Sequence, residues 1–208
     1  MSNPKQAGRG RPVETAGRAK KDLLKVAIRL LSSVGREGAT ARAICAEAGV
    51  GAPAMYHHYG DLNGLHRAAI NQTFRAVAAS YRRGARTKGT RQGIHDGWLT
   101  FMRFANEEPR MCRIVIQQIL IGEPPQAVAS TLENAVRDMS RLEEQGRMNC
   151  SPEFAVRLLW AGALGAACFT VAERRELKNG EDVSNDQAVQ RTMLEALLDS
   201  LALGQTET

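Results

Sequence analysis

The sequence has few of the residues that build disulfide frameworks, metal centres and large aromatic cores. Its 208 residues contain four cysteines, and aromatic residues make up 5% of the chain. The cysteines are far apart, and no CxxC or Cys/His pair has the spacing of metal ligands. The pattern favours reduced thiols in a cytoplasmic protein without a bound metal or cofactor. The four cysteines are Cys45, Cys112, Cys150 and Cys168.

Long apolar runs and a secretory leader are also missing. A membrane span needs roughly 18 to 20 predominantly apolar residues. The longest candidate, residues 154–172, carries Arg157 and many small residues. The basic N-terminus is not followed by the apolar segment that a signal peptide has. The sequence therefore predicts a protein that neither crosses a membrane nor is secreted.

Patterns typical of enzymes are missing as well. The sequence offers no paired carboxylates, no nucleophile beside a plausible base and no phosphate-binding loop. Its four histidines, at positions 57, 58, 66 and 95, form no HxxxH pair on one helix face. We therefore expect a protein that binds a partner rather than one that catalyses a reaction.

Positive charge is concentrated in the first part of the chain. Residues 1–90 contain 16 Lys+Arg and 5 Asp+Glu, a net charge of +11, whereas residues 91–208 contain 12 and 17, a net charge of −5. A basic region of this kind is the electrostatic signature of a nucleic-acid-binding surface. The acidic region would be repelled by DNA and is expected to have a different role.

Residues 40–59 are predicted to form two short helices joined by a tight turn. Thr40 is a good N-cap, and apolar residues such as Ile44 recur at helical spacing after it. Gly49 suits the left-handed position that ends a helix, and Pro53 fits the first turn of the next one. The pattern predicts a helix-turn-helix, whose second helix enters the major groove of DNA.

The rest of the chain also reads as helical, with no convincing strand. A first helix is predicted over about residues 15–34, and a fourth follows the N-cap Asp61 and ends in the glycine-rich, charged stretch 82–91. The predicted fold is all-α with about nine helices. The later helices are expected at about 91–108, from 109, at 125–145, at 152–177 and from Ser184 onwards.

These features, in this order and spacing, resemble the DNA-binding domain of the TetR family of bacterial transcription regulators. The resemblance covers about residues 20–70. The remainder of the chain resembles the family only in its length and its helical character. The matching residues are Leu24–Leu31, Gly35, Thr40, Ile44–Ala46, Ala48–Val50, Met55–Tyr59 and Leu65.

The resemblance implies a homodimeric, DNA-binding transcriptional regulator. Its expected form is a repressor that binds double-stranded DNA at a near-palindromic operator and is released by a small apolar effector. The expected domains are a disordered basic arm (1–14), a three-helix helix-turn-helix domain (15–62) and a larger helical ligand-binding and dimerisation domain (63–208), with helix 4 as the connector.

The expected DNA contacts lie on the basic arm and on the two short helices. Arg9 and Arg11 resemble the core of an AT-hook, which lies in the minor groove; the alternative is a solvated basic tail. Arg42 suits a contact to guanine or phosphate, whereas the small residues of helix 3 leave His57 as its polar reader. The full expected set is Arg9, Arg11, Thr40, Arg42, Gly51, Ala52, Pro53, Ala54, Tyr56, His57 and His58.

Two points about these contacts stay open. Tyr56 and His58 match family positions that often bind phosphates, but Tyr56 can equally be buried packing. The family commonly has a lysine near the start of helix 4, where this sequence has Leu62. A phosphate anchor is therefore missing, and the basic arm is a candidate to replace it.

The family also implies a small-molecule pocket in the second domain. The expected lining residues are apolar and lie on helices 5 to 8, although each can equally be ordinary core. They are Trp98, Phe101, Met102, Met111, Cys112, Met139 and Trp160.

An Ala- and Gly-rich helix 8 and a leucine face on helix 9 suit a two-fold, four-helix dimer interface. The leucine face would be exposed on a monomer, and the alternative is packing of the two helices within one chain. The expected interface residues are Leu164, Leu194, Leu197, Leu198 and Leu201.

Two other interpretations compete with the effector-responsive regulator. A DNA-architectural protein without an effector would bind any A·T-rich DNA with a steep salt dependence. A thiol-based sensor would use Cys112, Cys150 or Cys168.

Overall fold

A computed structural model describes the backbone of residues 12–176 and 183–201, and the side chains of residues 17–172 and 187–201. Over these ranges it contains nine helices and no strand, which confirms the predicted fold class. Residues 1–11 of the predicted basic arm, with Arg9 and Arg11, lie outside the described residues, whereas residues 12–14, which were expected to be disordered, belong to the first helix. The helices are α1 (Pro12–Gly38), α2 (Ala41–Ala48), α3 (Ala52–Tyr59), α4 (Leu62–Lys88), α5 (Thr90–Glu107), α6 (Pro109–Leu120), α7 (Gln126–Glu144), α8 (Pro152–Glu176) and α9 (Val183–Ser200).

The chain divides into two compact units, Met1–Ala69 and Ile70–Thr208. The division falls inside α4, whereas the sequence places it at the start of that helix. The reason is the burial of the first turns of α4, since Leu65 and Ala69 are completely buried. These turns therefore complete the core of the first unit before the helix passes into the second.

The core of the first unit is built from the apolar faces of α1 to α4. Gly35, with a φ of 75°, interrupts the helical backbone of α1 where the sequence predicts its end, and a further turn continues to Gly38. Leu24 and Ile28, on α1, are half-buried. The side chains that are completely buried are Leu23, Ala27, Leu31, Ile44, Met55 and Leu65.

Helix α8 is the central helix of the second unit and packs against α5, α6, α7 and α9. Its Trp160 ring lies 5.6 Å from the ring of Phe101 and 6.4 Å from that of Phe74. The segment Pro152–Ala172 is long and apolar enough to span a membrane by length and composition, with a mean hydropathy of 1.7. Half of this segment is buried inside the unit, and a core helix of a soluble protein has the same composition.

Helices α4 and α5 approach each other closely at two glycines. A Cβ added at Gly84 would lie 2.9 Å from the Cα of Gly93 and 3.0 Å from the carbonyl oxygen of Gln92. Gly84 therefore sits inside α4 because a neighbouring backbone leaves no room for a side chain. The break that the sequence predicts in this stretch falls at Gly89, whose φ is 92°.

We predict that Gly84→Ala lowers the free energy of unfolding by about 1–3 kcal/mol, since the new methyl group meets fixed backbone atoms. Glycine in a helix interior is ordinarily less stable than alanine by about 0.5–1 kcal/mol, so the expected sign is reversed here. Gly17→Ala is the control, because a Cβ at Gly17 meets nothing within 4 Å. Urea unfolding measures both variants, and a stabilised Gly84→Ala would contradict the packing described.

Candidate functional site

The turn between α2 and α3 has the local geometry that the sequence predicts. Thr40 caps α2, since its Oγ1 accepts a hydrogen bond from the backbone N–H of Ala43 at 3.1 Å. Gly49 ends α2 in the left-handed region, with a φ of 63°. Its N–H donates to the carbonyl of Ala46 at 3.3 Å. Both caps are confirmed, and together they set the short connection that leads into α3.

Helix α3 buries one side and exposes the other. Met55 is completely buried, whereas Tyr56 is 54% exposed. The exposure of Tyr56 argues against the alternative in which its ring is packing in the core. Arg42, on α2, is exposed as well. Of the other expected contacts, Thr40, Gly51, Ala52, Pro53 and His57 are exposed, and Ala54 and His58 are half-buried.

Tyr59, at the end of α3, ties this helix to α1. Its hydroxyl donates a hydrogen bond to the carbonyl oxygen of Lys20 at 2.7 Å. The ammonium of Lys20 lies 6.0 Å from the centre of the Tyr59 ring. Burial raises the pKa of Tyr59, so the group stays a hydroxyl that can donate this bond. An ion pair between Arg29 and Glu47 joins α1 to α2.

His66 is a structural residue that sequence reasoning missed. It lies on α4 with 3% of its surface exposed, and its Nε2 is 2.8 Å from the carbonyl oxygen of Ala39. Because a carbonyl only accepts, Nε2 carries the proton that is donated. Burial lowers the pKa of His66 below 6.5, and the nearby Arg36 lowers it further. The neutral ring therefore donates a hydrogen bond that holds the backbone of Ala39, the residue before the N-cap Thr40. The position of His66 between Leu65 and Ala69, within an apolar pattern, was the sequence feature that could have predicted its burial.

The second unit contains an apolar cavity of about 90 Å³. Four of the seven residues expected to line a pocket lie in its wall: Trp98, Phe101, Met139 and Trp160. Met102 lines a separate groove of about 270 Å³. Met111 and Cys112 are completely buried and are not part of the cavity wall. Burial raises the pKa of the Cys112 thiol to about 12, which disfavours the reactive thiolate.

Three of the five leucines expected at a dimer interface are covered within a single chain. Leu194, Leu198 and Leu201 are almost completely buried within a single chain, which is the intrachain alternative. Leu164 and Leu197 are half-buried. The spacing of the leucines on α9 indicates a buried face of that helix. Spacing alone does not reveal whether the same chain or a second copy covers this face. The large apolar side chains that α8 and α9 do expose are Phe154, Phe169, Val189 and Met193.

Comparison with known proteins points to one family. Residues 23–69 match the model described as bacterial regulatory proteins, tetR family. A search of curated proteins found no match.

Solved structures with the same fold extend over almost the whole chain. A TetR-family transcriptional regulator from Pectobacterium atrosepticum is 23% identical with a TM-score of 0.67, and the match covers 92% of this chain and 97% of that one. A putative TetR-family regulator from Rhodococcus sp. is 15% identical with a TM-score of 0.67, covering 89% and 99%. SmeT, the repressor of the Stenotrophomonas maltophilia multidrug efflux pump SmeDEF, is 17% identical with a TM-score of 0.64, covering 91% and 94%.

We predict that Tyr56→Phe and Tyr59→Phe separate DNA binding from stability. Removing the exposed Tyr56 hydroxyl is expected to weaken binding to duplex DNA roughly tenfold and to leave stability unchanged, since the phosphate contact expected at this position would lose one charge-assisted bond. Removing the Tyr59 hydroxyl is expected to cost about 1 kcal/mol of unfolding free energy, because the Lys20 carbonyl loses its donor.

Thermal unfolding and fluorescence anisotropy with labelled DNA measure the two effects. Each variant is the control for the other, since both remove one phenolic oxygen from the same helix. Loss of stability in Tyr56→Phe with unchanged DNA affinity would refute its assignment to the DNA-facing surface.

We also predict that stability falls as the pH is lowered through about 6.5, partly because of His66. The folded chain holds this ring neutral, so below the unfolded pKa the unfolded chain binds more protons, which lowers its free energy relative to the folded chain. His66→Gln keeps a donor for the Ala39 carbonyl but cannot titrate. Urea unfolding at about pH 7.5 and 5.5 should show a smaller loss in the variant, by at most about 1.4 kcal/mol per pH unit. Equal losses in both proteins would rule out this contribution.

Proposed function

We propose that this chain, a member of the TetR family by its DNA-binding domain and its fold, is a homodimeric repressor that leaves a near-palindromic operator when an effector binds. TetR-family regulators are DNA-binding regulators rather than enzymes, and they act as dimers. The observation that carries the proposal is the capped α2–α3 turn within the matched residues, which leaves one side of α3 uncovered. A cytoplasmic location follows from this role.

The uncovered side of α3 suits the major groove but offers little direct readout. Its exposed residues include Ala52 and Pro53, which can contact thymine methyl groups but make no bidentate pair with a base. Arg42 and His57 are therefore the side chains that would discriminate between bases. We expect specificity to depend on these two residues and on the spacing of two copies of α3, one helical turn apart on the DNA.

Exposed apolar side chains on α8 and α9 support the homodimer. Phe169 is 69% exposed and Val189 is 59% exposed. On α8, Phe154, Ala161 and Cys168 are exposed at helical spacing on the same side as Phe169. An exposed apolar stripe of this kind marks an association surface. We assign the interface to this stripe rather than to the buried leucines of α9.

The cavity between the helices of the second unit supports an effector. Its wall includes Phe74, Phe101 and both tryptophans, and its described lining is almost entirely apolar. Interhelical cavities of this composition are usual ligand sites. An effector that favours one conformation would weaken operator binding by a coupling free energy of about 1–3 kcal/mol.

We predict that DNA selected from genomic fragments by the purified protein shows a short, two-fold-symmetric footprint. Arg42→Ala is expected to reduce affinity for this site by about 10- to 100-fold, as one bidentate contact contributes about 1–3 kcal/mol of discrimination. The control Arg103→Ala removes an exposed arginine of the second unit and should bind like the wild type. A single half-site would contradict the dimer. Diffuse protection that follows A·T content and survives Arg42→Ala would favour an architectural protein instead.

A further inference from the structure

Arginines are concentrated in one groove of the second unit. The groove has a volume of about 700 Å³ and lies between α4 and α7. Residues 70–208 contain 17 Lys+Arg and 17 Asp+Glu, so the unit as a whole has no net charge. The charge in the groove is therefore a local feature, not a consequence of composition. Its charged lining residues are Arg82, Arg83, Arg86, Arg137, Arg141 and Asp138.

Three of these arginines, all exposed to solvent, have no partner among the described residues. Arg141 pairs with Asp138 at 3.2 Å, and Arg137 donates to the Oδ1 of Asn134 at 2.6 Å. The side chains of Arg82, Arg83 and Arg86 make no hydrogen bond or ion pair with any described residue. Unpaired guanidinium groups in one groove repel one another, and a carboxylate or phosphate relieves this repulsion by accepting bidentate hydrogen bonds.

A hydrogen bond joins a residue of the groove to a residue of the apolar cavity. The Tyr81 ring lines the cavity, and its hydroxyl donates to the Oδ2 of Asp138, a groove residue, at 2.9 Å. Burial and the Asp138 carboxylate raise the pKa of Tyr81, so the donor is permanent. Helix α7 lines both spaces, with Ala135 and Met139 in the cavity wall and Arg137 in the groove. An apolar compartment and a cationic one are therefore next to each other.

The cavity wall also contains an unsatisfied donor. The indole N–H of Trp98 is buried and has no hydrogen-bond partner among the described residues. A buried donor without a partner is costly, and a ligand oxygen can satisfy it. A purely hydrocarbon ligand would leave this cost in place.

We propose that the effector is an amphipathic organic anion, with a short apolar tail in the cavity and an anionic head among the groove arginines. The inference rests on the proposed function and differs from the small apolar effector expected from the sequence. An apolar cavity of about 150 Å³ holds benzene, so this smaller one suits a tail of about four carbons. The groove is large enough for a head bigger than one carboxylate.

The test uses the full chain without DNA. Both tryptophans of the chain, Trp98 and Trp160, line the cavity, so intrinsic fluorescence reports its occupation. The probes are butyryl- and hexanoyl-coenzyme A, hexanoate, free coenzyme A and hexanol, and calorimetry repeats each titration. We expect an acylated anion to bind at least tenfold more tightly than free coenzyme A and than hexanol.

Each outcome decides the proposal. Tight binding of hexanoate identifies a carboxylate head, and tight binding of the thioesters alone identifies a polyanionic head; both support it. Free coenzyme A binding as tightly as its esters leaves only an anion site, and hexanol binding as tightly as the tightest acylated anion leaves only an apolar site. Either result overturns the proposal, as does the absence of binding by every probe.

Variants test the groove separately from the cavity. Arg82→Gln/Arg86→Gln should weaken acylated-anion binding at least tenfold and leave hexanol binding unchanged. The control Arg103→Gln/Arg113→Gln removes the same charge from exposed positions outside the groove. Arg137→Gln replaces the double variant if circular dichroism shows that it has unfolded.

Operator affinity of the same variants separates the two proposals. If the groove variant loses operator affinity while its ligand affinity is unchanged, the arginines contact phosphates of DNA and the ligand assignment is wrong. If the wild type binds no DNA site but binds the acylated anion, the regulator proposal fails and the ligand assignment stands.

Discussion

The close approach of α4 and α5 is the constraint on which the second unit depends. At Gly84 and Gly93 the two backbones are too close for a side chain, and one turn further along α5 a Cβ at Gly97 would lie 3.2 Å from the Cβ of Tyr81. This contact fixes the position of Tyr81 against the neighbouring helix. Tyr81 can then line the apolar cavity with its ring and reach Asp138 with its hydroxyl. A larger side chain at any of these glycines would move Tyr81, whose ring lines the cavity and whose hydroxyl bonds to a groove residue.

In the first unit, α2 and α3 are held by hydrogen bonds from residues other than those expected to contact DNA. Tyr59 bonds to the backbone of α1, and His66 bonds to the backbone just before α2. Neither bond involves the exposed side chains of Tyr56, His57 or Arg42. The residues that orient the two helices are thus separate from those available to contact DNA. Such a division lets the exposed surface change its sequence preference without loss of the fold.

The sequence predicted the parts of this structure that depend on local chemistry. The caps at Thr40, Gly49 and Asp61 were predictable because each is a contact between residues three or four positions apart. The close packing at Gly84 was not predictable because its partner, Gly93, lies on another helix. The leucine face of α9 had a clear period, but whether the same chain or a second copy covers it depends on packing that no local pattern encodes. The groove was missed because Arg86 and Arg137 are distant in sequence, and because the charged stretch 82–91 was interpreted only as the end of helix 4.

Helix α4 contributes residues to both units. Its first turns supply Leu65 and His66 to the core of the first unit, and its later turns supply Tyr81, Arg82 and Arg86 to the cavity and the groove. A ligand at the later turns changes operator affinity only if it binds the two conformations of the protein unequally, since equal binding shifts no population. The coupling is reciprocal: if the ligand weakens operator binding by a given factor, the operator weakens ligand binding by the same factor. An anionic head group favours unequal binding to the two conformations, because a small displacement of one helix changes several charge-assisted bonds at once. Apolar contacts in a cavity change little over the same distance.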